Sequence, residues 1–142
     1  DNSVRVPLII YDPRVKKHHD VEDMVANVDL AATILDFSGV KSDLKTHGIS
    51  LVPYVYNGSS KDKRKELMIE HLWDFQPIPS SEGIRTEQWK YFRYRTIKAT
   101  EELYDLENDP QELNNLASNT KYKIILQNMR DKLDQKITMY SK

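Results

Sequence analysis

Cysteine is absent from the 142 residues. That excludes disulfides, thiolate-held zinc and a cysteine nucleophile on this chain, and leaves the redox compartment open. Glycine is scarce, at four residues, so no glycine-rich phosphate loop can be drawn. No serine has nucleophile-elbow spacing, and no Asp-x-Asp-x-Asp-Gly run marks a calcium loop. Nothing approaches the roughly 18 apolar residues that span a bilayer. No signal peptide starts at Asp1, and the strand-like opening is expected to be a boundary within a longer protein. An excess of one charge sign is missing too. Twenty-one Lys and Arg face 22 Asp and Glu, so no whole-protein field that draws in nucleic acid or a membrane surface is expected.

What remains is 39% hydrophobic and 30% charged residues, the balance of a folded domain rather than a disordered tract. Leu8-Ile9-Ile10-Tyr11 is continuous, apolar and β-branched, which predicts a buried strand, with Pro7 at its start and Asp12-Pro13 ending it. Val21 to Phe37 has helical spacing through Val25, Val28, Ala32 and Leu35. Asp29 could instead be an N-cap, placing the helix at Leu30 to Phe37, with Gly39 as its stop. The apolar density of that stretch predicts packing on both sides. Lys41 to Asn57 reads as irregular, and Lys61 to Lys65 as a solvated charge run.

A different grammar follows. Leu67–Ile69, Gly83–Thr86, Trp89–Arg95 and Glu102–Leu106 read as four short strands, the middle two joined by Glu87-Gln88 in a tight hairpin. Trp89, Tyr91 and Arg93 share one face of their strand; Lys90, Phe92 and Tyr94 share the other. Such a sheet needs a helix on one face. Tyr122, Ile125, Met129, Leu133, Ile137 and Tyr140 supply it as one stripe at helical spacing. Asp109-Pro110-Gln111-Glu112 predicts a short helical turn running to Ala117. The fold class is α+β, with residues 1–60 and 61–142 as separate units.

Among residues that carry chemistry, adjacent His18 and His19 diverge and suit a solvated loop. His47 precedes a loop glycine. His71 ends a strand within Glu70-His71-Leu72-Trp73-Asp74-Phe75, a mix of acid, imidazole and aromatic groups. Aromatic faces beside hydrogen-bonding groups suit a sugar-like ligand, and core packing is the alternative. Arg85, on the next strand, could join His71 and Trp73 at a ligand or form an ion pair under the sheet.

The order of several motifs carries more than each alone. Asp1-Asn2-Ser3-Val4-Arg5-Val6-Pro7-Leu8-Ile9-Ile10-Tyr11-Asp12-Pro13 resembles the segment near the end of the large domain of type I, formylglycine-dependent sulfatases of the alkaline-phosphatase superfamily. Asn27 to Gly39 is similar to the helix that follows it, and His47-Gly48-Ile49-Ser50-Leu51 to the next short signature. Gly83-Ile84-Arg85-Thr86 with Trp89-Lys90-Tyr91 resembles the family's C-terminal hairpin. The most specific stretch is Glu102-Leu103-Tyr104-Asp105-Leu106-Glu107-Asn108-Asp109-Pro110-Gln111-Glu112 with Asn115-Leu116-Ala117. One departure is Ala32, where the family commonly has proline.

The resemblance implies the last strand and helix of an alkaline-phosphatase-like α/β domain, over 1–60. A small four-stranded antiparallel sheet packed by a C-terminal helix follows over 61–142. It implies a parent enzyme, arylsulfatase-like, that hydrolyses sulfate esters of a sulfated glycan or aryl sulfate with calcium and formylglycine. The motif and aspartate clusters that supply those two do not occur here, so this stretch alone is expected to be inactive. It is expected to serve as scaffold and as part of the substrate rim through His71, Trp73 and Arg85. A related phosphodiesterase or phosphonate hydrolase, and a stand-alone interaction or carbohydrate-binding module, are the alternatives. The implied partner is the remainder of the sulfatase chain, and an uncovered strand and helix predict self-association. Many such enzymes are exported, which implies a periplasmic or secreted location.

Overall fold

The computed structural model describes residues 4–41, 43, 46–74, 78–96 and 100–141. The chain divides after Arg64 into two compact units.

The first unit contains α1 (Asp29–Ser38) and α2 (Val52–Asn57). Gly39, at φ 65°, ends α1 in the left-handed conformation, as its position in the sequence predicts. The helix read over Val21 to Phe37 is shorter than expected, since residues 21–28 form no helix, and its start also differs from the N-cap alternative. Asp29 is the first helical residue, Val28 is the cap, and Val28 makes no side-chain capping bond. Asp29 is instead a buried hub. Its carboxylate accepts the Ala26 N–H at 2.7 Å, the Ile49 N–H at 2.9 Å and both guanidinium arms of Arg64 at 2.5 Å. One turn on, the Thr33 hydroxyl donates to the Asp29 carbonyl at 2.7 Å and accepts the Leu51 N–H at 2.9 Å. These bonds hold the His47-Gly48-Ile49-Ser50-Leu51 segment against the helix. Gly48 permits the approach, since a Cβ there would overlap the Val28 carbonyl. Arg64 therefore leaves the solvated charge run, while Lys61, Asp62 and Lys63 stay exposed.

Three expectations for this unit are corrected. Leu8–Tyr11 belongs to no strand, and Ile9 and Tyr11 are 88% and 84% exposed. A strand exists by its ladder, and no described residue offers those backbone groups one. The helix is not packed on both sides: Ile34 is 67% exposed, and only Asp29 and Thr33 of α1 are buried. The stretch read as irregular contains α2, which carries a proline in its first turn and is stopped by Gly58 at φ 71°.

The second unit holds β1 (Glu66–His71), β2 (Ser81–Thr86), β3 (Trp89–Tyr94) and β4 (Glu101–Asp105). They pair antiparallel in sequence order. Glu87-Gln88 is the whole turn between β2 and β3, and the Thr86 hydroxyl bridges it by accepting the Trp89 N–H at 2.9 Å. A 3₁₀ turn (Thr120–Tyr122) leads into α3 (Lys123–Tyr140). Alternation puts Ile84, Tyr91 and Leu103 on one face, and α3 covers it with Leu126, Met129 and Leu133. Each such side chain contributes roughly 1.5–3 kcal/mol by leaving water. Leu126 is a core residue that the stripe read from the sequence omits, and Tyr140, which that stripe includes, is 38% exposed. Ion pairs border the core: Arg130 with Glu101, Lys132 with Glu66, and Arg93 with Glu82 at 2.7 Å and Asp134 at 2.8 Å.

The helical turn expected from Asp109 to Ala117 does not form. Asp109 does cap, accepting the Leu113 and Asn114 N–H groups at 3.1 and 2.8 Å. Glu112 then takes φ 56°, which no α-helix continues through, and its carboxylate reaches Lys90 at 2.6 Å.

Candidate functional site

The sheet face away from α3 carries the chemistry. By register it presents Leu67, Ile69 and His71 on β1; Ser81, Gly83 and Arg85 on β2; Lys90, Phe92 and Tyr94 on β3; and Glu102 and Tyr104 on β4. Gly83 fits there because a Cβ would press on the Phe92 ring and the Tyr91 carbonyl. Arg85 and Lys90 are cross-strand neighbours, and Glu112 answers their like charges. Burial pushes the Arg85 guanidinium below its ordinary pKa, opposed by Glu112. The Lys90 ammonium also lies 5.2 Å from the centre of the Phe92 ring. Glu102 accepts the hydroxyls of Tyr94 at 2.8 Å and Tyr104 at 3.1 Å. Burial, and then Glu102, push both phenols up to about 12. At neutral pH they stay protonated and act as donors, not as proton-transfer groups.

His71 stands at the end of β1, opposite Ser81. Its Nε2 is buried and has no hydrogen-bond partner among the described residues. A buried, unpaired ring nitrogen is costly in a finished core. Trp73, two residues on, is 81% exposed. Asp74 closes the start of the β1–β2 connection, accepting the Ser80 N–H at 2.8 Å. That bond, the Ser80 and Thr96 hydroxyls and the nearby His71 imidazole hold its carboxyl below the usual range. Phe75 lies outside the described residues.

His71 and Trp73 thus stand at one end of the sheet. Arg85 faces the same way but pairs with Leu67, four register positions away, roughly 13 Å at ~3.4 Å per residue. It donates to the Thr86 carbonyl at 3.3 Å. Reasoning from the sequence gave Asp74 no role. The available signal was a short acid at a strand exit, the residue type that bonds backbone a few positions on. Of the other histidines, His18 meets Asp20 at 2.9 Å in an exposed pair.

The resemblance implies calcium and formylglycine for the parent enzyme. No three His, Cys, Asp or Glu side chains converge among the described residues. The chain has no cysteine for conversion to formylglycine, and no serine has nucleophile-elbow spacing. Neither group fits the described residues.

The profile of the N-sulphoglucosamine sulphohydrolase, C-terminal family matches residues 1–139. The chain belongs to that sulfatase family. This sulfatase module is also 31% identical over 122 residues to arylsulfatase K of Rattus norvegicus, covering 82% of the module and 22% of that protein. It superposes with TM-score 0.71 on a solved structure described as BT4656 in complex with its substrate D-glucosamine-2-N,6-O-disulfate. The identity is 27%, covering 84% of the module and 26% of that structure. A phosphonate monoester hydrolase of Agrobacterium radiobacter gives TM-score 0.67 at 27% identity, covering 81% and 25%. The module spans about a quarter of the length of these relatives. The match to the sulfatase profile over nearly the whole chain sets aside the stand-alone binding-module reading.

Proposed function

We propose that this module is the C-terminal part of a sulfatase that hydrolyses the sulfate ester of a sulfated sugar, and that it supplies scaffold and part of the substrate rim. Cleaving a sulfate ester requires a nucleophile and positive charge gathered at the sulfuryl oxygens. The calcium and formylglycine that would provide them belong, on this reading, to the remainder of the enzyme, which is the module's partner. The 142-residue chain alone should release no sulfate. The same reading includes export to the periplasm or medium, supported by the family resemblance.

The observation that carries the rim assignment is the buried, unpaired Nε2 of His71 beside the exposed Trp73 indole. A sugar hydroxyl or sulfate oxygen would satisfy the nitrogen, and an indole face suits the C–H surface of a pyranose. Arg85, at the far end of the face, would meet only a longer glycan. To test this, His71→Ala is made in the parent enzyme and assayed on glucosamine 6-sulfate and on a small aryl sulfate. We expect a loss of about tenfold in kcat/KM on the sugar, the worth of one good hydrogen bond. An unchanged value on the sugar removes His71 from the rim.

The likeness to a phosphonate monoester hydrolase supports a second reading, in which the parent cleaves phosphonate or phosphate esters. A parent enzyme that turns over a phosphonate monoester faster than any sulfate ester would establish it. On its own the module should self-associate through Val6, Ile9 and Tyr11, all largely exposed. Light scattering that shows only monomer at high concentration would remove that expectation.

A further inference from the structure

Three features at the sheet end bear on one another. The Asp74 side chain, near the start of the β1–β2 connection, is bonded to its far end: Oδ1 accepts the Ser80 N–H at 2.8 Å. The Ser80 and Thr96 hydroxyls help to hold the carboxyl below its ordinary pKa. Ser80 is itself fixed: it is 3% exposed, and its carbonyl accepts the Arg95 N–H at 2.9 Å, just past the end of β3. The exit of β1, the entry of β2 and the exit of β3 are therefore joined at one carboxylate. Two side chains carried next to this joint have groups the described residues do not engage. Trp73 leaves its indole 81% in water, and His71 keeps a buried nitrogen without a partner. A backbone brace beside an exposed indole and an imidazole with an open hydrogen-bonding nitrogen is what preorganised binding requires. The cost of fixing backbone and rotamers is met on folding rather than on binding.

We propose that Asp74 is a positioning residue for sugar recognition: by tying the β1 exit to Ser80 and Thr96, it holds Trp73 and the His71 imidazole in the arrangement that meets substrate. This deepens the reading of His71 and Trp73 as substrate rim and rests on it. Asp74 touches no reacting atom, and its effect passes through its two neighbours. Without it the Ser80 N–H loses its acceptor, and the Asp74 link between the β1 exit and the β2 entry is gone.

The test uses the parent enzyme with glucosamine 6-sulfate and a small aryl sulfate, the latter too short to need the rim. Asp74→Ala should raise KM for the sugar about tenfold while kcat stays within about twofold, with aryl sulfate kinetics unchanged. Asp74→Asn keeps one acceptor oxygen for the Ser80 N–H and should recover most of the wild-type KM. Thr96→Val deletes one outer hydroxyl and should raise KM two- to threefold, so a result survives if Asp74→Ala does not fold. Equal losses on both substrates with a lowered Tm and no recovery in Asp74→Asn would reduce Asp74 to a fold residue and overturn the proposal. A KM raised by His71→Ala but not by Asp74→Ala overturns the brace and leaves the rim intact. A wild-type enzyme that cleaves a phosphonate monoester and releases sulfate from neither compound sinks the sulfatase reading itself.

Discussion

Residues from Lys65 onward bury Ile84, Tyr91, Leu103 and Leu133 completely, whereas the two buried residues of α1 are Asp29 and Thr33. The sheet unit is held by an apolar core sealed between strands and helix, with its ion pairs at the border. The stretch ending at Arg64 also buries Leu51 and Tyr54, but it centres on a charged hub that collects two backbone amides and a guanidinium, and it leaves Val6, Ile9, Tyr11 and Ile34 largely in water. The difference teaches where each piece obtains its order. An apolar core is self-sufficient and tolerant of small changes in shape. A hub of directed bonds is specific and fails when one partner goes.

The largest expected effect comes from removing the hub. Asp29→Ala takes the two-armed carboxylate partner from Arg64, 9% exposed at its side chain, and the acceptor from the Ala26 and Ile49 amides. A loss of about 3–5 kcal/mol is expected, and amide exchange should show it in α1 and α2 while β1–β4 keep their protection. If the strands open together with α1, the two regions are one cooperative unit and the contrast fails. Next comes Leu133→Ala in the sheet core, expected to cost about 3 kcal/mol through lost burial and the residual cavity, read by urea denaturation. Gly48→Ala should cost about 1–3 kcal/mol, because the new methyl overlaps the Val28 carbonyl and must push the Ile49 amide off Asp29. A Gly48→Ala protein as stable as wild type would mean that the His47–Leu51 segment is not seated as described.

The same contrast explains what was legible in the sequence. Apolar alternation gave four strands, the two-residue Glu87-Gln88 spacing gave the hairpin, and helical spacing gave α3, because local periodicity is what buries a core. The strand at Leu8–Tyr11 did not follow, since a ladder depends on a partner that no local pattern supplies. Nor could the Asp29–Arg64 pair be seen, its members being 35 positions apart within stretches that read as helix and as solvated charge. The Asp109 turn had the right capping residues and was diverted by the pull of Lys90 on Glu112, a contact across 22 positions. At the site, His71 and Trp73 were legible as a polar and aromatic mix at a strand end. Their separation from Arg85 became visible only with the register. Asp74 stayed hidden because its meaning lies in what Ser80 does.

Acid offers the mildest way to sharpen the comparison. Burial alone would raise the Asp29 carboxyl, but Arg64 and the amides of Ile49 and Ala26 hold it below its ordinary value of 3.8. Glu101 is held down first by Arg130, against burial, with help from the Tyr91 hydroxyl. In both cases the folded pKa lies below the unfolded one, so the unfolded chain binds more protons. The stabilisation is complete above about pH 5 and is lost as pH falls through the folded values. Asp29 is fully buried, while Glu101 is 22% and Glu66 23% exposed at their side chains. Protonating Asp29 therefore removes a bonded anion from beside a buried guanidinium, whereas Glu101 and Glu66 can turn toward water. Amide cross-peaks followed from about pH 6 to about pH 2 should fade first across α1 and the Ile49–Leu51 segment, with β3 and α3 persisting to lower pH. Raising the salt should shift the sheet's transition more than that of α1, because ions reach its border pairs and not the hub. Strand amides that fade before those of α1 would reverse the assignment of which region depends on charge.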